Sequence, residues 1–445
     1  MIKASDFGFS PENDGKTNSA ALQKAVDCGG DIYIDVPGTY LVSQCITIGS
    51  DTAVYFCAGS YIKRCRAEHT SYVFINKGAY TREYDRNIKI SGLKIICDGV
   101  EATNRVEDGC IPGMRGHISF FYIINLVIDG VEILDLPSAC FGIQVCTFEN
   151  ILIENVRIEG RKDAVHLGRG SKFVIRHGIF RTFDDPIALN AHDYASSNPQ
   201  LGWIENGIIE DCYDLDDSET VGFFCRILAG AWGDWKKGME VQNSDTVAYE
   251  GRLYRVLMEP DGKVFESVTP PTHESGIEVL DGIRWVMVQD DVVYGSGCRN
   301  IHFKDIYLQK KRDVALSVHF DKDRYSRSYY PGSTPPVQEN IIFENICFEN
   351  DIPRLLDAIT PVDSIKVINS VMDNSSIGLK DIETEGMEYK KTNILFSGTT
   401  FKGNGGTLVE TSGRRSASVK IIGSCADEGY KAEFSGNVTV KQSDL

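Results

Sequence analysis

The feature that most restricts what this chain can fold into is a nine-residue pattern: Asn, apolar, any, apolar, any, then Asn, Asp or Gly, apolar, any, apolar. Its clearest copy is N-I-L-I-E-N-V-R-I, Asn150 to Ile158. Further copies begin at Asn87, Asn125, Lys172, Asn300 and Asn340, with weaker ones at Leu201, Ser364, Asn393 and Ser418. Each copy holds two short alternating runs joined by a residue that tolerates a left-handed backbone, which is what two strands meeting at a tight corner require. Most successive copies start 22 to 29 residues apart. That is too short for a β-α-β crossover with its helix and suits one coil of a parallel β-helix. The wider steps of 38, 99 and 40 residues mark loops or insertions in the stack. An antiparallel sandwich gives no reason for Asn to return at one corner, whereas stacked coils let Asn side chains form hydrogen-bonded ladders. The predicted fold class is all-β: a right-handed parallel β-helix with an N-terminal capping helix and a small inserted β module.

The cap is read from Asp14-Gly15-Lys16-Thr17, followed by N-S-A-A-L-Q-K-A-V-D with Ala21, Leu22 and Ala25 at helical spacing, then Gly29-Gly30 and a strand. The insertion is read from about Gly233 to Gly297, where the coil pattern stops. The expected organisation is thus cap and first coils over 1–232, the module over 233–297, and the remaining coils over 298–445. Within the module, Asp245 to Val256 predicts a hairpin around Glu250-Gly251, and Gly282 to Val288 a further strand. Tyr249, Tyr254 and Trp285 are candidates for stacking on sugars, or for the core of so small a unit. The segment looks like small carbohydrate-binding or tail-fibre modules.

The charged groups point to chemistry at one place. Laying the copy at Lys172 over the copy at Asn150 gives an offset of 22, with Ile153 over Ile175, Ile158 over Phe180 and Asp163 over Asp185. Parallel strands lie ~4.8 Å apart, so Asp163 and Asp185 emerge side by side with Asp184 next to them. Carboxylates so close cannot all ionise comfortably, leaving one protonated acid beside ionised neighbours, the division of labour that glycoside hydrolysis uses. Asp163, Asp184 and Asp185 are therefore the candidate catalytic residues. Arg161, Lys162, His166, Arg169, Asn190, His192, Arg226 and Trp232 are the candidate substrate-binding residues.

The order D-G-x-T, a short Ala-rich helix, G-G and P-G-x-Y resembles the opening of the pectin lyase-like superfamily. R-K-D-A at Arg161 and F-D-D-P at Phe183 resemble the N-T-D-G and D-D motifs of glycoside hydrolase family 28, with the same one-coil separation. D-D-P-I-A-L-N-A-H, Asp184 to His192, is similar to a run in the β-helical α-galactosidases of family 110. The resemblance implies an inverting mechanism through Asp163, Asp184 and Asp185. This chain departs from family 28 in having no G-H-G, Arg161-Lys162 in place of N-T, and Arg226-Ile227-Leu228 in place of R-I-K.

The leading expectation is a glycoside hydrolase with an oligo- or polysaccharide as partner. Two other readings stay open: a polysaccharide lyase using Ca²⁺ and an Arg or Lys base such as Lys162, and a tailspike-like shaft that binds carbohydrate without catalysis. The net charge of −17 argues against nucleic acid, and no apolar run is long enough for a membrane span. No cofactor or metal is expected, since the eight histidines show no H-x-x-x-H spacing. Thirteen cysteines without a C-x-x-C pair read as small buried hydrophobes, and the start at Met1 to Asp6 lacks the marks of a secretory signal. Both agree with a cytoplasmic protein. The Tyr- and Arg-rich stretch Asp321 to Tyr330 reads as a long loop between coils, a candidate wall of a substrate cleft.

Overall fold

The computed structural model describes residues 2–65, 72–100, 110–217, 219–382 and 389–445. They divide into two compact units, Met1–Ala188 with Gly207–Gly222, and Leu189–Asn206 with Phe223–Leu445. Each is built from coils of right-handed parallel β-helix, and in each the sequence pattern sets both corner and core.

In the first unit the backbone is left-handed at Asn87, Asn125, Asn150 and Lys172, with φ of 55°, 59°, 58° and 60°. The second corner of the pattern is left-handed at Gly92, Gly130, Asn155 and His177. Asn tolerates this geometry better than other side chains, and stacking puts its amides in reach of one another. Asn125 Nδ2 donates to Asn87 Oδ1 at 2.9 Å and Asn150 Nδ2 to Asn125 Oδ1 at 2.7 Å. Between the corners, alternate residues point inward: Ile90, Ile128, Ile153 and Ile175 form one fully enclosed column, and Ile95, Ile133, Ile158 and Phe180 another. Each such side chain contributes about 1.5–3 kcal/mol by leaving water.

The second unit repeats the arrangement. Asn300 Nδ2 donates to Asn206 Oδ1 at 3.1 Å and Asn340 Nδ2 to Asn300 Oδ1 at 3.2 Å. Ile301, Ile341, Ile365, Ile394 and Val419 stack in register, so the copies at Ser364, Asn393 and Ser418 align as read. The copy placed at Leu201 is corrected: its corners are Asn206 and Asp211, φ 58° and 48°, and the repeat is N-G-I-I-E-D-C-Y-D. Asn serves at either corner, so Asn206 had been read as the second corner rather than the first.

The first coil of the first unit is covered by the helix Gly15–Val26, whose N-cap Asp14 accepts from Thr17 N at 2.7 Å. Ala21, Leu22, Ala25 and Val26 are its buried face. Ser19 Oγ accepts from Ser43 N and Gln44 N, and Gln23 bonds both backbone groups of Thr47, tying the helix to the coil edge. A Cβ on Gly15 would stand 2.4 Å from Cys65 Sγ, so the D-G-K-T glycine answers to close packing.

In the second unit, Gly233–Asp234, Thr246–Tyr249, Arg252–Val256, Ile283–Gln289 and Ile277–Leu280 form a separate five-stranded sheet in that order. Its hairpin turns at Glu250-Gly251, both with positive φ. Tyr254 and Trp285 are fully enclosed with Val241, Val247, Val256, Ile283 and Met287, and Tyr249 packs against that cluster. These rings thus form the sheet's core and are not laid out for stacking on a sugar. Among the described residues no helix is long and apolar enough to cross a membrane.

Candidate active site

The acids lie in the first unit, where the offset of 22 holds residue by residue. Ile153 pairs with Ile175 and Ile158 with Phe180, while Ala164 N donates to Asp185 O at 3.1 Å and Val165 N to Pro186 O at 3.0 Å. Asp163 and Asp185 are thereby stacked just before the strands Val165–Leu167 and Ile187–Asn190, and one carboxylate oxygen from each of Asp163, Asp184 and Asp185 lies within 4.8 Å of the others. Asp163 and Asp185 are buried, whereas the Asp184 side chain keeps 16% of its surface exposed. A Cβ on Gly222 would stand 2.6 Å from Asp185 Oδ1 and from the Asp184 carbonyl carbon, so this glycine lets residues 219–222 lie directly on the D-D-P turn. Val221 N and Thr220 Oγ1 both donate to Phe183 O there.

The Lys162 ammonium is set against two of the three. Lys162 Nζ donates to Asp184 Oδ2 and lies 3.2 Å from Asp163 Oδ1. Burial works against its charge, but the Asp163 and Asp184 carboxylates outweigh that, and its pKa is pushed up to about 12. An ammonium in this position supplies positive charge that a metal held by three carboxylates would otherwise bring.

His166 Nδ1 lies 3.1 Å from Asp163 Oδ2, and its ring stacks on Phe141 at 3.9 Å and 18°. Only 1% of His166 is exposed. Enclosed in this way, the imidazole lies against the Asp163 carboxylate and has no face open to solvent. The other face of the cluster was missed in the sequence: the Arg115 guanidinium stands 4.6 Å from the Phe141 ring and Lys162 Nζ 5.6 Å from it. A signal for Phe141 was present, since it precedes Asp163 by the same 22 residues and Gly142 N donates to Asp163 O. Arg161 is exposed, its guanidinium 4.7 Å from the Phe183 ring. Arg169 is half-buried, with its carbonyl accepting from Thr147 N.

The remaining candidates belong to the second unit. Asn190 is buried and donates to Asp193 Oδ2. His192 is buried, its pKa held well below the ordinary histidine range by that burial and by Arg255. Trp232 is buried too, donating from Nε1 to Val293 O at 2.6 Å and packing with Leu201, Leu253 and Val288. Neither ring presents a face to a ligand, because strands of the inserted sheet cover Trp232 and the Gly230 backbone lies against His192. Arg226 is half-buried, 5.4 Å from the Phe223 ring.

No protein-family model and no curated protein matches the chain. Solved structures similar to it are pectin lyase-like β-helix proteins. They include a family 28 exopolygalacturonase of Yersinia enterocolitica (11% identity, 98% of this chain and 78% of that one, TM-score 0.47). A surface protein and adhesin of Streptococcus pneumoniae is also similar (14%, 99% and 100%, 0.48). So is the catalytic unit of an alpha-1,3-glucanase of family 87 from Streptomyces thermodiastaticus (13%, 99% and 69%, 0.48).

Proposed function

We propose that the chain is a glycoside hydrolase acting on an oligo- or polysaccharide through Asp163, Asp184 and Asp185. One observation carries this reading: three carboxylates from two successive coils lie within 4.8 Å of one another, with the Lys162 ammonium against two of them, Asp163 and Asp184. Glycosidic cleavage needs one carboxylic acid to protonate the departing oxygen and a second carboxylate to activate water or attack the anomeric carbon. Asp184 is the first of the three that a sugar meets, with the Lys162 ammonium beside it to bind hydroxyls. The short separation is below the ~6.5–9.5 Å that usually accommodates a water between two acids, while the family 28 resemblance implies inversion. Product anomeric configuration, followed by NMR, separates the two courses.

Lyase chemistry is less well supported. A lysine pushed up to about 12 is a poor base near neutral pH, and Lys162 already supplies the cation that the acids would otherwise take from Ca²⁺.

The test is a screen of galactosides, uronides and rhamnosides with the parent and with Asp163→Asn, Asp184→Asn and Asp185→Asn. Each variant is expected to lower kcat by ~10²–10⁴ with an unchanged circular dichroism spectrum, and chelator is expected to leave the parent rate intact. Undiminished turnover in all three variants, or a new ultraviolet-absorbing double bond in the product, would sink the hydrolase reading.

A further inference from the structure

The second unit contains a cleft of its own, with a volume of about 480 Å³. The stretch Asp321 to Tyr330 forms one side of it and is not a loosely solvated loop. Arg327 pairs with Asp245 through Nε at 3.0 Å and through Nη2, Asn243 Nδ2 and Ser244 Oγ donate to Tyr325 O, and Tyr330 OH donates to Glu240 O. The inserted sheet thus braces this segment, and its backbone is also pinned to Ala231 by bonds from Ala231 N to Ser328 O and from Tyr330 N to Ala231 O.

The wall is two-sided in chemistry. Phe320, Ile359 and Ile382 give an apolar surface, with the Phe320 and Tyr329 rings 5.8 Å apart. Asp321 gives the polar one. Its side chain is nine-tenths buried, the His319 imidazole Nε2 lies 3.5 Å from Oδ1, and among the described residues Oδ2 has no hydrogen-bond partner. A buried carboxylate acceptor left unmatched is unusual and calls for a donor. Arg327 also reaches the cleft, but its charge is matched by Asp245, and Lys322 is exposed to water. The polar group the wall offers to a ligand is thus the Asp321 carboxylate, a hydrogen-bond acceptor that disfavours an anionic ligand.

We infer that this cleft binds a neutral pyranoside, whose hydroxyls donate to the Asp321 carboxylate while its C–H face lies on Phe320, Ile359 and Ile382. Apolar lining with a few convergent polar groups, in a volume of this size, is what a small-ligand site requires. The inference stands on the second unit alone and does not depend on the hydrolase reading.

The experiment is calorimetric titration of the full chain carrying Asp163→Asn and Asp185→Asn, so that turnover does not intrude. The probes are methyl α-galactopyranoside, methyl α-rhamnopyranoside, galacturonate and the diamine putrescine. Saturable binding of a neutral glycoside, weakened about tenfold or more (about 1.4 kcal/mol) by Asp321→Ala, is the expected result. Should that variant lose its native circular dichroism, Asp321→Asn, which keeps the shape, carries the test with weakened binding expected. Affinity unchanged by substitution at Asp321, binding of putrescine or galacturonate in preference to both glycosides, or no binding by any probe would overturn the inference. Glycoside binding that responds to Asp184→Asn but not to Asp321→Ala would place the sugar at the acid cluster instead.

Discussion

Lys162 and its carboxylates set the electrostatics of the first unit's site. The folded pKa of Lys162, about 12, lies above its ordinary 10.5, so the stability it contributes is fully present below pH 10.5 and is lost as pH rises through about 12. Lys162→Met is therefore expected to lower the melting temperature at pH 8, and the gap from the parent should close as both are melted toward pH 12. The side chain is a fifth exposed, so the cost should fall short of the ~3–5 kcal/mol for breaking a wholly buried pair. Removing the positive charge also favours the protonated acids, so the acidic limb of the rate profile should move to higher pH. A limb that stays where it is would separate Lys162 from the chemistry. His166 is a different kind of neighbour: it is enclosed, stacked on Phe141 and in hydrogen-bond reach of Asp163.

At the scale of the coil, the corners are where single residues matter most. Asn125 is left-handed at φ 59° and bonds Asn87 on one side and Asn150 on the other. Asn125→Ala keeps a Cβ in the left-handed conformation, at a cost of up to ~1–2 kcal/mol that the Asn amide partly offsets, and breaks both amide bonds, each about 0.5–1.5 kcal/mol at most in this exposed ladder. A loss of about 2 kcal/mol is expected from urea unfolding. Asn125→Gly, which relieves the backbone term, should lose less than half of that; equal losses would show that the ladder, not the backbone, sets the cost. The corners were legible because left-handed geometry selects a short list of residue types. The corner at Asn206 slid by five residues because the same list serves both bends.

Across the whole chain, charge and cysteine content give the remaining test. All thirteen cysteines stand as thiols outside any disulfide, and seven of them are buried, as alternating positions such as Cys225 had indicated. Burial pushes the thiols of Cys45 and Cys212 up to about 12, which suppresses the reactive thiolate. The melting temperature is thus expected to be the same with and without reductant. A structural disulfide would contribute ~2–5 kcal/mol, and its reduction would show as a drop of several degrees.

What the sequence determined by itself was local and periodic. The spacing of Asn, Gly and Ile fixed where coils turn, which residues face the core, and that Asp163 stands over Asp185. These follow from backbone conformation and from neighbours one coil away, and a repeat writes both into the chain. Only the tertiary structure decided which candidate side chains are open to a ligand. Trp232 is enclosed by a carbonyl 61 residues further on, and the stretch 321–330 is held by an aspartate 82 residues before Arg327. Contacts at such separations leave no period in the sequence, because any residue of suitable size and charge can meet them once the coils have set the distance.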